Sequence, residues 1–268
     1  MDSTLVFLVV GLLQGVLEWL PVSSEGVNTL VLASMGFDPR SLIPATIWLH
    51  LGTLLAAALY FRRDIVKLAK SVPRAFKSGD GGVELLAFIA VATIITCILG
   101  LPLYVAVKGL TLLEGSILMA LVGCFLIVNG LIQKLAKEGR VFREDVRLRD
   151  AILLGVVQSL SVIPGLSRSG LTVSTLLLRG YGASTSLKLS FIVSIPVVAV
   201  ADAYLALSGE VASFTYPSLI GVLAAFVVGY ATISLLMKLA RRLRFWAFCI
   251  AIGALSFIPL ILELLKQL

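Results

Sequence analysis

The sequence predicts an all-α integral membrane protein with an inverted-topology repeat, made of six spanning helices and two re-entrant helix pairs. Three observations lead to this fold class. Hydrophobic residues make up 59% of the 268 residues and charged residues 14%, whereas soluble domains are about 45–50% apolar and about 25% charged. Six stretches are long and apolar enough to cross a bilayer. Two further apolar regions are interrupted in their middle by Pro, Gly and Ser.

The composition also excludes several functions. A mean hydropathy of +1.06 is incompatible with a disordered chain, a secreted disulfide scaffold or a soluble nucleic-acid binder, so no nucleic-acid partner is expected. The formal net charge of +7 indicates membrane topology instead. The sequence has one histidine, His50, which excludes a zinc hydrolase with several imidazole ligands and a phosphatase that needs two histidines.

The six predicted spanning segments follow from the bilayer's need for about 20 mostly apolar residues. They are 44–61, 83–107, 115–133, 186–206, 217–237 and 245–264. Sixteen of the 22 Lys and Arg fall in three connections between them, which are 62–80, 134–149 and 238–244. The opposite connections hold one basic residue, Lys108. Since basic loops stay on the cytoplasmic side, a multi-pass protein of the plasma membrane with these three segments in the cytoplasm is expected.

The two interrupted regions, 4–36 and 151–182, are expected to enter the membrane and return. The first breaks at 21–26 and the second at 164–170, where Pro and Gly stop a helix. Basic residues precede and follow the second region, so both of its ends lie on the cytoplasmic side. The first region precedes 44–61, which runs inward, and it therefore enters from outside. Both chain termini are then outside.

The two halves of the chain repeat at a fixed offset of 144 residues. Identical residues at this offset fall in and around both breaks: Gly11 and Gly155, Gln14 and Gln158, Ser23 and Ser167, Gly26 and Gly170, Gly36 and Gly180. One membrane domain is predicted, with a first repeat at 1–133, a cytoplasmic basic linker at 134–149 and a second repeat at 150–268. Non-helical backbone at membrane depth is tolerated where it is buried or lines a wet cavity. Two facing breaks therefore predict a central polar site.

Two ionisable residues at membrane depth, Glu18 and Arg168, are candidates for function. Glu18 follows Gln14 by four residues, so both lie on one helix face, where they could share a divalent cation or position a water. The alternative is that Glu18 caps backbone amides or pairs structurally with Arg168. Arg168 lies among serines and glycines immediately before a predicted helix, which is typical of a phosphate cradle. The alternative is an arginine that snorkels to the cytoplasmic face.

The remaining candidates are polar residues near the breaks. Ser23 and Ser24 are a possible nucleophile or phosphate ligand, or simply helix caps. Thr172 falls in the first turn after the second break, where its hydroxyl could also bond to its own backbone. Glu25 is expected to be a solvated carboxylate at the outside opening. His50 is either a hydrogen-bonded packing residue or an acid/base group.

The two breaks carry a family resemblance. Residues 14–26 resemble the first signature of the undecaprenyl-diphosphate phosphatase (bacitracin-resistance) family, [E/Q]-x-x-x-E followed by P-V-S-S-x-G. Residues 164–172 resemble its second signature, P-G-x-S-R-S-x-x-T. The resemblance implies removal of the terminal phosphate of a polyprenyl diphosphate at the outer membrane face, helped by a divalent cation, Mg²⁺ or Ca²⁺. That reaction recycles the carrier lipid for peptidoglycan synthesis in cell-wall biogenesis.

The resemblance also implies roles for individual residues. Gln14 and Glu18 would bind the metal or activate a water, and Ser23 or Ser24 would be the nucleophile or a phosphate ligand. The residues implied to hold the diphosphate are Ser167, Arg168, Ser169, Gly170 and Thr172. The sequence departs from the family at Val27, where a histidine is usual. We hypothesise that His50 replaces it from the neighbouring helix.

Two functions are weighed on these grounds. The first is the membrane phosphatase, whose partner is a polyprenyl diphosphate lipid; a homodimer is compatible with it. The second is a transporter or flippase for a phosphate-bearing lipid, since inverted repeats with broken helices are usual in secondary transporters. Glu18 favours the enzyme, because a carrier of an anionic lipid gains little from a carboxylate beside its anion.

Overall fold

The structure is a computed structural model and describes residues 2–71, 81–108, 115–136, 145–208, 215–240 and 245–267. Over these residues the protein is helical and contains no β-strand, which confirms the all-α class. The basic segments 62–80, 134–149 and 238–244 lie partly outside the described residues. The prediction that they are cytoplasmic stays a prediction.

Twelve α-helices are found in the described ranges. They are α1 (Ser3–Leu17), α2 (Ser24–Ser34), α3 (Pro39–Tyr60), α4 (Arg62–Ser71), α5 (Gly81–Lys108), α6 (Gly115–Leu135), α7 (Leu148–Ser159), α8 (Arg168–Leu178), α9 (Ala183–Ser208), α10 (Tyr216–Ala240), α11 (Phe245–Leu255) and α12 (Ile258–Gln267). The helix α4, within the first basic segment, was not predicted.

Six helical stretches are long and apolar enough to span a membrane, as the sequence predicts. They are Ser41–Tyr60, Val83–Val107, Gly115–Leu135, Ala183–Ser208, Tyr216–Leu239 and Phe245–Lys266. The chain is therefore a multi-pass membrane protein. The last stretch consists of two helices, because a turn at Ser256 separates α11 from α12. Pro259 is the second residue of α12. Because proline has no N–H to donate to the preceding helical turn, it interrupts a long helix but is tolerated in the first turn of a new one.

The long helices surround the two interrupted regions. Helix α1 packs on α10 and α7 packs on α5, while α3 contacts both α9 and α10. The short helices lie inside this frame: α2 contacts α1, α3 and α6, and α8 contacts α7, α9 and α6. The N-terminal ends of α2 and α8 are thereby held at the centre of the protein.

The largest apolar cluster lies beside these two helix starts. Its members include Trp19 after α1, Ala56 and Ala57 of α3, and Phe191 of α9. The rings of Trp19 and Phe191 meet edge to face with 5.5 Å between their centroids, a favourable aromatic geometry. Both rings are almost fully buried. This cluster forms a packed wall around the C-terminal end of α3, and that end leads into the basic segment 62–80.

The two breaks are built from the same local devices. Helix α1 ends before Pro21, and α2 begins after Ser23, whose Oγ accepts a hydrogen bond from the amide of Gly26 at 3.0 Å. Helix α7 ends before a short 3-10 turn and Pro164, and α8 begins after Ser167, whose Oγ accepts from the amide of Gly170 at 3.1 Å. A serine N-cap satisfies one amide that has no partner within the helix.

Candidate active site

The two breaks touch each other at a glycine contact. A Cβ on Gly26 would lie 2.9 Å from both N and Cα of Gly165, so no larger residue fits there without moving the backbone. Gly165 has φ +103°, a conformation that other residues rarely adopt. The Ser23 hydroxyl accepts a second hydrogen bond, from the amide of Gly165 at 3.2 Å. The start of α2 is thereby fixed against the second break.

A cavity of about 110 Å³ lies at this junction. Its lining includes polar side chains from α2, α3 and α8 and from both breaks. These include Glu18, Ser24, Glu25, His50, Ser167 and Arg168. The cavity therefore brings together polar residues of both breaks and of α3.

Glu18 is the hub of the site. Its Oε2 accepts hydrogen bonds from Gln14 Nε2 at 3.0 Å and Ser24 Oγ at 2.7 Å, and lies 3.3 Å from His50 Nε2. Its Oε1 accepts from Arg168 Nη2. The carboxylate is 5% exposed. A buried carboxylate is tolerated when it is paired and hydrogen-bonded in this way.

Gln14 orients Glu18 from the preceding helical turn, as their four-residue spacing predicts. While its Nε2 donates to Glu18, its Oε1 accepts from Asn28 Nδ2 at 2.9 Å. Asn28 was missed by sequence reasoning, although it follows Ser24 by four residues on the same face of α2. Gln14 is fully buried and is not among the cavity-lining residues.

Arg168 is directed into the protein with 12% of its side chain exposed, which argues against the snorkelling alternative. Its Nη2 donates to Glu18, and its Cζ lies 5.9 Å from the centre of the Phe191 ring. Nη1 is buried and finds no acceptor among the described residues. An arginine that lines a cavity at a helix N-terminus, and that keeps one nitrogen without an acceptor, is suited to bind a phosphate oxygen.

His50 reaches the site from α3. Its Nδ1 lies 2.9 Å from the carbonyl oxygen of Thr46. Because a carbonyl can only accept, Nδ1 carries a proton and Nε2 faces Glu18. The hypothesis that His50 enters the site from the neighbouring helix agrees with this position.

The other residues of the second signature divide into two groups. Ser167 and Ser169 line the cavity, and Ser169 Oγ donates to the carbonyl oxygen of Leu20 at 2.9 Å. Gly170 and Thr172 do not line it. Thr172 Oγ1 donates to the carbonyl oxygen of Arg168 at 2.7 Å and so supports the first turn of α8.

Residues 7–258 match the family described as bacitracin resistance protein BacA. The chain belongs to this family. An undecaprenyl-diphosphatase of Methanococcoides burtonii is 40% identical over 261 residues, which are 95% of this chain and 97% of the relative. Proteins of the same name from Haloarcula marismortui and Saccharolobus solfataricus are 38% and 33% identical, over 96% and 98% of this chain and 97% and 98% of their own lengths.

In this member of the BacA family, the position of Glu25 is the one that differs most from the sequence prediction. It is the second residue of α2, is 8% exposed and lines the cavity. The prediction of a solvated carboxylate was therefore wrong, because the contact between the breaks turns the first turn of α2 inward. Its Oε1 has no hydrogen-bond partner in the part of the chain that the structure describes.

A second, apolar cavity of about 150 Å³ adjoins the polar one. Both cavities are lined by Ile47, Val162, Val197 and Ala201. The rest of the apolar cavity lies between α5 and α9, with Gly100, Tyr104 and Tyr204 among its lining. The polar cavity and the apolar one therefore share a wall.

The oxygen donors of the polar cavity fit a hard divalent cation. They are the carboxylates of Glu18 and Glu25 and the hydroxyls of Ser23 and Ser24. Three or more His, Cys, Asp or Glu side chains do not converge on one point within the described residues. Mg²⁺ is commonly held by one or two carboxylates together with substrate phosphates, so such a set is chemically sufficient.

Proposed function

We propose that this chain is a membrane phosphatase that removes the terminal phosphate of a polyprenyl, undecaprenyl-type diphosphate and leaves the monophosphate lipid. The observation that carries this proposal is the geometry around Arg168. Its Nη1 is buried without an acceptor among the described residues, in a cavity where Ser24 faces the Glu18 carboxylate. The name undecaprenyl-diphosphatase, borne by relatives that cover nearly the whole chain, supports the same substrate.

The apolar cavity supports a lipid as the substrate. A diphosphate bound at Arg168 would have its first isoprene units next to Ile47, Val162 and Val197, which both cavities share. The Tyr104 and Tyr204 rings meet edge to face with 6.0 Å between their centroids and line the far part of the cavity. Apolar walls of this kind suit an isoprenoid chain better than a sugar or a nucleotide.

Ser24 is the proposed nucleophile. Its hydroxyl donates to Glu18 Oε2 at 2.7 Å, which is the arrangement of an activated nucleophile and its base. Ser23 accepts from two backbone amides, which fixes its oxygen as a cap. Ser24 Oγ attacks the terminal phosphorus while its proton passes to Glu18, and the bond from phosphorus to the bridging oxygen breaks. Water then hydrolyses the phosphoserine and restores Ser24.

The remaining groups neutralise and orient the phosphates. Arg168 Nη1 and the first amides of α2 and α8 neutralise the transferred phosphoryl group, with Ser167 and Ser169 as nearby hydrogen-bonding groups. When both nitrogens of its ring carry a proton, His50 donates to Glu18 through Nε2 and holds it in place. A divalent cation, Mg²⁺ or Ca²⁺, would be held by carboxylates of the cavity and would supply further positive charge to the phosphates.

The proposal includes an inverted repeat, two re-entrant helix pairs and a site open to the outer face. Three observations support it. The packing of α1 on α10 corresponds to that of α7 on α5. Gly36 and Gly180, 144 residues apart, have φ of +76° and +89° at equivalent ends of α2 and α8. The apolar cavity is lined by the C-terminal halves of α5 and α9, away from the basic segments.

Phosphate release by the purified protein in detergent tests this function. Undecaprenyl diphosphate is supplied with Mg²⁺, with Ca²⁺ or with EDTA, to wild type and to Ser24→Ala, Glu18→Ala and Arg168→Ala. We expect metal-dependent release by wild type and at least a 10³-fold loss in each variant. Ser161→Ala is the matched control, since Ser161 lines the same cavity but its hydroxyl donates to the carbonyl oxygen of Gln158. Folded wild-type protein that binds the lipid but releases no phosphate with any metal would instead favour the carrier.

A further inference from the structure

Glu25 is a carboxylate of the polar cavity to which the proposed proton and phosphoryl transfers assign no role. It is 8% exposed, and its Oε1 has no hydrogen-bond donor among the residues described. A buried carboxylate without a partner is costly. A group of this kind is retained when a ligand completes its coordination.

Glu18, the other carboxylate of the cavity, is in the opposite situation. Its charge is offset by Arg168, and its two oxygens accept from Gln14, Ser24 and Arg168. Burial raises the pKa of the Glu25 carboxyl, the side chain of His50 lowers it and the negative charge of Glu18 raises it. A diphosphate that enters the cavity therefore meets a second carboxyl group, Glu25, whose Oε1 has no hydrogen-bond donor among the described residues.

We propose that Glu25 is a ligand of a divalent cation that enters the cavity with the diphosphate, and that it makes diphosphate binding depend on that cation. The inference rests on the proposed function, because the phosphate oxygens complete the coordination. Mg²⁺ is usually held by one or two carboxylates, substrate phosphates and waters. The described side chains do not form a closed metal cluster, so the cation site is complete only with the diphosphate.

Glu25 is singled out because nearby oxygen donors are already engaged. Gln14 Oε1 accepts from Asn28, and Ser23 Oγ accepts from two amides. Glu18 is occupied as described above. Among the described cavity residues, Glu25 is a carboxylate with an oxygen, Oε1, that has no hydrogen-bond donor.

The proposal has a consequence that a purely structural role lacks. In its ionised form and without a cation, Glu25 repels the diphosphate, and with a cation it attracts the complex. The binding of the cation and of the diphosphate is therefore coupled, and the coupling depends on the charge of Glu25. Glu25→Gln keeps the size of the side chain and removes that charge, so it should make diphosphate binding nearly independent of the cation.

Calorimetric titration of the full-length protein in detergent with methylenediphosphonate, which cannot be hydrolysed at its bridge, measures this coupling without turnover. We expect wild type to bind at least tenfold more tightly in Mg²⁺ than in EDTA. In Glu25→Gln the two affinities should agree within about threefold, mainly because binding in EDTA improves. Glu25→Asp keeps the charge and should keep the Mg²⁺ dependence. Glu84→Gln, the same chemical change on α5 outside the cavity, should behave as wild type.

Two results would overturn the inference. In the first, the Glu25→Gln variant still binds the diphosphonate tenfold more tightly in Mg²⁺ than in EDTA. In the second, the Glu25→Gln variant elutes and unfolds like wild type but binds the diphosphonate in neither buffer, because Glu25 would then serve binding without a cation. Either result leaves phosphate release by wild type, and with it the proposed function, intact. Wild type that neither binds the diphosphonate nor releases phosphate would remove the proposed function, and this inference with it.

Discussion

The Ser23 hydroxyl accepts a hydrogen bond from the amide of Gly165, 142 residues away in the sequence, at 3.2 Å. It caps α2 at the same time, through the amide of Gly26. One oxygen therefore fixes the start of α2 and joins the two breaks. The matching serine of the other break, Ser167, caps α8 and lies 3.2 Å from the hydroxyl of Ser169.

This difference predicts unequal stability effects for two identical substitutions. Ser167→Ala should lose about 1 kcal/mol, the usual effect of removing an N-cap. Ser23→Ala also leaves the buried amide of Gly165 without its acceptor, which costs about 1–3 kcal/mol more. Thermal unfolding in detergent should therefore show a lower midpoint for Ser23→Ala than for Ser167→Ala. Equal midpoints would argue against the contact between the breaks as a stabilising element.

Arg168→Lys should lose most of the activity although it keeps the charge. The guanidinium group reaches Glu18 with Nη2 and leaves Nη1 for the substrate, whereas a single ammonium cannot hold both positions in one plane. We expect kcat/KM to fall by about 10²-fold or more. Arg179→Lys is the control, because Arg179 binds Asp150 at the far end of α8. Retention of wild-type kcat/KM in Arg168→Lys would contradict bidentate use of Arg168.

His50→Gln tests the proposal that this histidine serves the site in place of the residue missing at Val27. The amide of glutamine can replace one hydrogen bond of the imidazole but brings no positive charge to Glu18. We expect kcat to fall by about 10²-fold with a smaller change in KM. Steady-state phosphate release measures both constants. A turnover equal to that of wild type would exclude His50 from the chemistry.

Gly100→Leu should discriminate between long and short substrates. A Cβ at Gly100 meets its nearest atom, Val162 Cγ2, at 3.7 Å, so a small side chain fits and a larger one fills the apolar cavity. Relative to wild type, kcat/KM should fall by roughly tenfold for undecaprenyl diphosphate and change little for isopentenyl diphosphate. Gly115→Leu, where a Cβ meets nothing within 4 Å, should leave both values unchanged. Equal losses for both substrates would show that the cavity does not hold the isoprenoid chain.

Much of the fold follows from hydropathy and spacing alone. The six spans were predictable because a run of apolar residues long enough to cross a bilayer is unambiguous. The bond between Gln14 and Glu18 was predictable because residues four apart share a helix face. Burial of Glu18 and Arg168 within the protein could be anticipated because ionisable residues at membrane depth need partners.

Other features depend on contacts between distant segments. The inward position of Glu25 results from the packing of Gly26 on Gly165, which no local pattern around residue 25 reveals. The division of labour between Ser23 and Ser24 is equally hidden, since adjacent serines look alike in sequence. The sequence marks the turn between α11 and α12 with Pro259, three residues after Ser256. The position of this proline does not give the angle between the two helices.

The aromatic wall behind Arg168 has a consequence for the cell that contains this protein. Two interrupted helices beside a polar cavity with charged side chains could form a path for protons and small ions across the bilayer. Trp19 and Phe191 pack edge to face behind the pair of Glu18 and Arg168, and the void on that side is only about 10 Å³, room for about one water. We expect this wall to close the polar cavity on this side and so to hinder the passage of water and ions through the protein.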